Sequence, residues 1–285
     1  MIVIADAGST KTDWRFVQNK QNISAIHTIG FNPVLTDTTF IINTLQSEFT
    51  DTKNNLAVSE VFYYGAGCWD EASCSVVSKA LKVIFPNALI QVTNDLLGAA
   101  RAVCGTTKGI ACILGTGANS CLYDGKKVVD NVPALGYIMG DEGSGAYLGK
   151  QLLKAYFYRE LPNILKEKLE NQQTISKKLV IKNVYQKKTG NQYLANFTKF
   201  LHQEKAHPFI EQLIQDAFDQ FIKRQVLKYE NAVHLPIHFI GSIAYFFKDI
   251  LTISLNQNHL TIGNVLQQPI DGLLNFHTSV RPMLK

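Results

Sequence analysis

Short apolar runs ending in glycine punctuate this chain. Met1–Ala5 is wholly apolar, the pattern of a strand buried on both faces. Trp14–Val17 alternates close behind it, which predicts a hairpin turning around Gly8, and Asn22–Ile29 reads as a third strand. Between Asp37 and Phe49, the residues Phe40, Ile41, Thr44, Leu45 and Phe49 recur at helical spacing. Val61–Tyr64 is a β-rich run stopped by Gly65-Ala66-Gly67. Glu71–Phe85 predicts an amphipathic helix with Val76, Val77, Ala80, Leu81 and Ile84 on one face. Leu89–Thr93 reads as a strand that delivers Asn94-Asp95 to its carboxyl end, and Leu96–Cys104 as a helix with small residues on its packing face.

A similar series starts near Thr107. Gly109–Leu114 predicts a strand, Gly115–Gly117 a loop, and Asn119–Tyr123 a return strand turning at Asp124-Gly125. Helices are expected over Ser144–Arg159 and His207–Tyr229; the latter carries Phe209, Ile210, Leu213, Ile214, Ala217, Phe218, Phe221 and Ile222 as one stripe. Pro236–Ile240 is a strand ending in Gly241-Ser242, with a helix after it. The order strand, glycine loop, strand, helices thus occurs twice, which predicts two related α/β domains with a cleft between them.

Composition narrows the class. In 285 residues, 46% are hydrophobic and 18% charged, enough apolar surface for a folded core. The net charge of +5 is not concentrated in an arginine-rich run. Seven lysines fall between Lys166 and Lys188, where a solvated helical surface explains them better than nucleic-acid binding. The five cysteines are odd in number and contain no C-x-x-C pair, which argues against a disulfide framework or a zinc site. Asp6 arrives without a cationic leader, and the longest apolar stretch, Phe239–Phe247, is too short to span a bilayer. The expectation is a cytoplasmic chain with no membrane or nucleic-acid partner.

The two glycine loops carry the chemistry. Asp6-Ala7-Gly8-Ser9-Thr10-Lys11-Thr12-Asp13 follows the first strand. Gly8 lets the backbone approach an anion, Ser9, Thr10 and Thr12 offer hydroxyls, and Lys11 adds a point charge. It is not a Walker A loop, which requires a second glycine before the lysine. Gly115-Thr116-Gly117 is built alike. Either loop alone is also explained as an ordinary turn, but two behind two strands suit a polyphosphate gripped from both sides. Asp6, at a strand end, fits a hydrated Mg²⁺ or a turn cap. Asp95 fits a general base for a sugar hydroxyl or a plain helix N-cap. Asp141 and Glu142, between glycines at a helix start, suit substrate hydroxyls and loop orientation, or complement a helix dipole. Asn32, in the rigid turn Phe31-Asn32-Pro33, is a weaker candidate for a substrate amide or hydroxyl.

Asp6–Thr12, Asn94-Asp95, Gly115-Thr116-Gly117-Ala118-Asn119, Gly136 with Gly140–Ser144, and Gly241-Ser242-Ile243-Ala244 stand in an order that resembles the N-acetylglucosamine kinase family. That family lies in the superfamily of sugar kinases, heat-shock ATPases and actin, and the resemblance spans essentially the whole chain. It implies two ribonuclease-H-like domains, 1–106 and 107–271, with ATP and Mg²⁺ in the cleft. The second would hold a helical insertion over 150–230, and a helix over 272–285 would pack back on the first. By resemblance, Gly8–Thr12 and Gly115–Gly117 hold phosphates, while Gly241, Ser242 and Ala244 line the adenosine pocket. Asp95 looks like the base that activates the 6-hydroxyl of N-acetylglucosamine or another amino sugar; Asn32, Thr116, Gly136 and Asp141 look like sugar-binding positions. A homodimer is common among such kinases. The chain departs from the pattern at Ala118, where relatives often carry serine, and is short for the family. A dehydratase-activator ATPase and a sugar-binding sensor are the competing readings.

Overall fold

The structure is a computed structural model that describes residues 1–8 and 11–279. The chain divides into two compact units: residues 1–107, 125–128 and 268 onward, and residues 108–124 with 129–267.

In the first unit, β1 (Ile2–Ala7), β2 (Lys11–Gln18) and β3 (Gln21–Ile29) form an antiparallel meander. Helices α1 (Thr38–Glu48) and α2 (Thr52–Leu56) lead to β4 (Glu60–Gly65); α3 (Glu71–Ile84) leads to β5 (Leu89–Asn94), and α4 (Asp95–Cys104) follows at once. Strands β1, β4 and β5 are parallel, in the sheet order β3-β2-β1-β4-β5. Each face of the sheet buries its own core. Val3, Ala5, Val61 and Tyr63 pack with α1 and α3; Ile4, Phe62 and Tyr64 face the opposite way. This alternation is the period of two that a strand imposes on its side chains.

The second unit repeats the plan. It contains β6 (Gly109–Leu114), β7 (Ala118–Tyr123) and, from Val129, the strand β8 (Val128–Asp130), then α5 (Gly136–Met139) and α6 (Gly145–Phe157). The helices α7 (Asn163–Gln172), α8 (Lys177–Tyr185), α9 (Gly190–Ala195), α10 (Thr198–Gln203) and α11 (Pro208–Arg224) precede β9 (Pro236–Ile240). Then come α12 (Ser242–Phe246), α13 (Lys248–Gln257) and β10 (Thr261–Leu266). The sheet order β10-β9-β6-β7-β8, read backwards, matches the first sheet strand for strand; the central hairpin is again antiparallel and the β6–β9–β10 run parallel. Phe218, Phe221 and Ile222 of α11 lie in its core with Leu148 and Leu152 of α6. The last helix, α14 (Pro269–Ser279), belongs to the first unit and packs on α4. The expected tail over 280–285 lies outside the described residues.

The helix expected to run to Tyr229 stops at Arg224, and a 3₁₀ turn covers Val226–Lys228. Strand β10 escaped the pattern reading because Gly263-Asn264 interrupts its alternation, and the pairing register slips there. Among the described residues no helix is long and apolar enough to cross a membrane.

Candidate active site

In the first unit, parallel register brings the ends of β1, β4 and β5 to one edge of the sheet, with Ala7 beside Gly65 and Gly65 beside Asn94. Ligands of parallel α/β sheets gather at such carboxyl ends. Gly8 N–H donates to the Lys11 carbonyl at 3.0 Å, closing the first loop; Ser9 and Thr10 lie outside the described residues. Lys11 and Gly8 are exposed.

Thr12 departs from expectation. It is fully buried, and its hydroxyl donates to the Ile29 carbonyl at 3.3 Å. That hydroxyl ties β2 to β3.

Asp95 is not the cap of its helix. The preceding Asn94 takes that role, its side chain accepting from Leu97 N–H at 2.8 Å. Asp95 therefore occupies the first helical position, and its Oδ1 is buried with no hydrogen-bond partner among the described residues. Burial raises its pKa, opposed in part by the backbone N–H groups of Leu96 and Asp95. A carboxylate kept dry is a stronger base than one in water.

Asp6 lies across from Asp13 in the hairpin, so both carboxylates point to one face. Burial first, then the charges of Asp95 and Asp13, raise the Asp6 pKa to about 7, with Lys11 opposing. Asp13 is buried and held by the Arg15 guanidinium, with His27 Nδ1 at 3.6 Å. Asp13 was part of the recognised loop but had no role assigned. Its position opposite Asp6 follows from the hairpin being centred between Gly8 and Lys11, which the sequence pattern left open.

Asn32 caps its own turn. Its Oδ1 accepts from Val34 N–H at 3.0 Å and its carbonyl from Leu35 and Thr36. What it offers a ligand is the Nδ2 amide. Gly67, at φ +84°, passes so close that a Cβ there would lie 2.5 Å from Asn32 Oδ1, which ties the loop after β4 to this turn.

In the second unit the Gly115–Gly117 loop turns its carbonyls onto a helix start. Gly145 N–H donates to Gly115 O at 2.8 Å and Ala146 N–H to Thr116 O at 3.0 Å. Because a trans peptide points N–H opposite to C=O, the amides of Thr116 and Gly117 face away from α6, as an anion cradle needs. Gly241 packs against the base of this loop: at φ +119°, an added Cβ would sit 2.2 Å from the Leu114 carbonyl. Ser242 is exposed at the start of α12, whereas Ala244 is fully buried in the core of the unit. The Ala244 methyl is turned into that core. It holds α12 against the sheet.

Asp141 stands over the loop, with its Oδ2 3.0 Å from where a Gly117 Cβ would be. It adopts φ +57° and precedes α6, whose cap is Ser144, so it is not a first-turn acid of that helix. Burial raises its pKa; an Ala118 N–H bond and Lys150 work against this. Glu142 pairs with Arg224 at 3.4 Å. Lys150, which the sequence reading passed over, donates to the Tyr137 carbonyl at 3.0 Å and so tethers the segment bearing Gly136. Gly136 itself is exposed at φ +72°. Asp141, Glu142, Leu135 and Met139 line a cavity of about 490 Å³ together with Lys223 and Lys228. Among the described residues no three His, Cys, Asp or Glu side chains are grouped to hold a metal ion.

A fold of two like-ordered sheets, each with a glycine hairpin at its centre, is that of the two-domain actin-like ATPases, and within them of the ATP-dependent sugar kinases. Solved structures bear this out. A candidate N-acetylglucosamine kinase from Porphyromonas gingivalis superposes with a TM-score of 0.92 and 40% identity over 98% of this chain and 99% of its own. This chain belongs to the N-acetylglucosamine kinase family. A second candidate N-acetylglucosamine kinase, from Chromobacterium violaceum, shares the fold at TM-score 0.62 and 15% identity, covering 96% of this chain and 98% of its own. A ROK hexokinase from Thermus thermophilus shares it at 0.56 and 13%, covering 98% and 99%. No protein-family model and no curated protein matches the sequence.

Proposed function

We propose that this protein is a cytoplasmic kinase that moves the γ-phosphoryl group of Mg-ATP to the 6-hydroxyl of an amino sugar, N-acetylglucosamine first. The observation that carries the chemistry is Asp95, a buried carboxylate with an unpartnered oxygen at the carboxyl edge of a parallel sheet. The 40%-identical relative, itself a candidate N-acetylglucosamine kinase, supports the choice of sugar.

A sugar hydroxyl is a poor nucleophile at neutral pH. As its oxygen bonds to the γ-phosphorus and the bond to the β-phosphate oxygen breaks, Asp95 accepts the hydroxyl proton. Nearly all the remaining catalysis is positioning and charge neutralisation. The Asn32 amide, Thr116, Gly136 and Asp141 are assigned to the sugar. Gly8, Lys11 and Gly115–Gly117 are assigned to the phosphates, with Ser9 and Thr10 proposed from sequence alone. Gly241 and Ser242 are assigned to the nucleoside end. Thr12 and Ala244 drop out of these sets.

Asp6 fits a divalent cation. Burial and two neighbouring carboxylates make its own charge unfavourable, and a cation nearby would reverse that. One carboxylate is also the usual protein share of a Mg²⁺ whose other ligands are phosphates and water. When bound, Mg²⁺ neutralises charge on the transferring phosphates.

The deciding experiment is a coupled ADP-release assay with Mg-ATP against amino sugars and plain hexoses. Turnover on an N-acetylated amino sugar well above that on glucose is expected. ADP release indifferent to sugar, or no release, overturns the proposal. Asp95→Asn should lower kcat by roughly 10²–10⁴-fold while sugar affinity by calorimetry changes little. Near-normal turnover would remove Asp95 as the base.

A further inference from the structure

We propose that Tyr64 is a positioning residue for Asp95, acting through Arg101 and His277; the inference rests on the reading of Asp95 as the base. Among the described residues the Asp95 Oδ1 has no hydrogen-bond partner, and the carboxylate meets only the N–H groups of Leu96 and of Asp95 itself, both at the start of α4. Its place is therefore set by where α4 begins, and so by what fixes α4 against the sheet.

Tyr64 provides that fixation. Its backbone sits in β4, in register with Asp6 on one side and Thr93 on the other. Its ring lies against Gly98, three residues into α4 from Asp95; a Cβ at Gly98 would come within 2.8 Å of the Tyr64 Cβ and Cγ. Its hydroxyl receives Arg101 Nη1 of α4 at 2.9 Å and meets His277 Nε2 of α14 at 2.8 Å. The Arg101 guanidinium also lies over the Tyr64 and Phe276 rings, 5.8 and 5.3 Å from their centres. His277 stacks on Phe62 of β4 with ring centres 4.1 Å apart. Finally, Gly272 of α14 meets α4 so closely that a Cβ there would lie 2.4 Å from the Ala102 carbonyl.

One phenol therefore joins the central sheet, the helix that presents the base, and the helix that closes the unit. Three residues from Asp95 the contact is steric, and six residues away it is a hydrogen bond. A generic core aromatic would need only its ring. The shared hydroxyl fixes α4 along its axis as well as its height above the sheet, and reaction geometry tolerates little error: a displacement near 1 Å can cost about 10²-fold in rate.

The test is steady-state kinetics with N-acetylglucosamine and Mg-ATP on the full chain. Tyr64→Phe keeps the ring and removes the hydroxyl. It should lower kcat roughly 10- to 100-fold and leave both KM values within about twofold. Val77→Ala, on α3 against the opposite face of the sheet, should lower Tm at least as much and leave kcat unchanged. Gly98→Ala, which deletes no polar group but presses on the ring, should lower kcat as Tyr64→Phe does. His277→Gln, retaining a polar group toward the phenol, should retain more activity than His277→Leu. If Tyr64→Phe fails to fold, the last three variants carry the test. Wild-type kcat in Tyr64→Phe, or equal kcat losses in Tyr64→Phe and Val77→Ala, overturns the proposal. If Asp95→Asn turns over normally, the base reading falls and takes this inference with it. If Asp95→Asn is inactive and Tyr64→Phe is normal, only this inference falls.

Discussion

Asp6 is the residue whose environment works hardest against its own charge. Burial and the facing carboxylates of Asp95 and Asp13 raise its pKa from 3.8 to about 7 in the folded chain. The folded state thus binds its proton more tightly than the unfolded state does. Between pH 4 and 7 the native protein holds more protons, so this group lowers stability as pH rises through that window and has a constant effect above it. In EDTA, Asp6→Asn should therefore raise Tm at pH 8 relative to wild type and leave it little changed at pH 4, read by calorimetry. With Mg²⁺ present, the same substitution should remove most activity. A lower Tm for Asp6→Asn at pH 8 would show that the carboxylate is held by favourable contacts instead.

Local elements carry the chemistry to its place. Strand β5 ends at Asn94, whose side chain caps α4 and leaves Asp95 free of that duty. Asn94→Ala should cost about 1 kcal/mol of stability, measured by urea unfolding, and lower kcat more than sugar affinity. Glycines that look alike in sequence differ in what they tolerate. Gly241 sits at φ +119° with the Leu114 carbonyl against it, so Gly241→Ala should cost at least about 2 kcal/mol and raise the KM for ATP. Gly136, at φ +72°, has nothing within 4 Å of an added Cβ, and Gly136→Ala should cost only about 1 kcal/mol. Equal losses at the two positions would contradict the assigned close approach of Gly241 to the loop.

At the scale of the molecule, two sheets of matching order each place a glycine hairpin at the centre and a glycine at the end of the next parallel strand: Gly8 and Gly65 in one, Gly115–Gly117 and Gly241 in the other. A ligand bound only by the native state stabilises it by mass action, about 2.7 kcal/mol at a hundred times Kd. N-acetylglucosamine without nucleotide should raise Tm by roughly 4–10 °C at that concentration. The shift should vanish in Asp141→Asn and survive in Gly241→Ala, read by thermal shift at matched pH. No shift with any amino sugar would argue against the assigned sugar positions.

Most strands, the hairpin loops and the strongly periodic helices were legible in the chain because they rest on short-range periodicity and turn chemistry, which adjacent residues encode. The ordered loops also pointed to the family. Side-chain direction was less accessible. Thr12 and Ala244 sit within recognised motifs yet face inward, because the packing of β3 and of α12 determines which side of each element meets solvent. The reading of Asp95 as a helix cap fell only when Asn94 took that place. Asp13 acquired its place only through cross-strand register, and Tyr64 only when α14, more than two hundred residues later, reached its hydroxyl. Contacts between residues far apart in the chain are set by the packing of whole elements, and no local pattern records them.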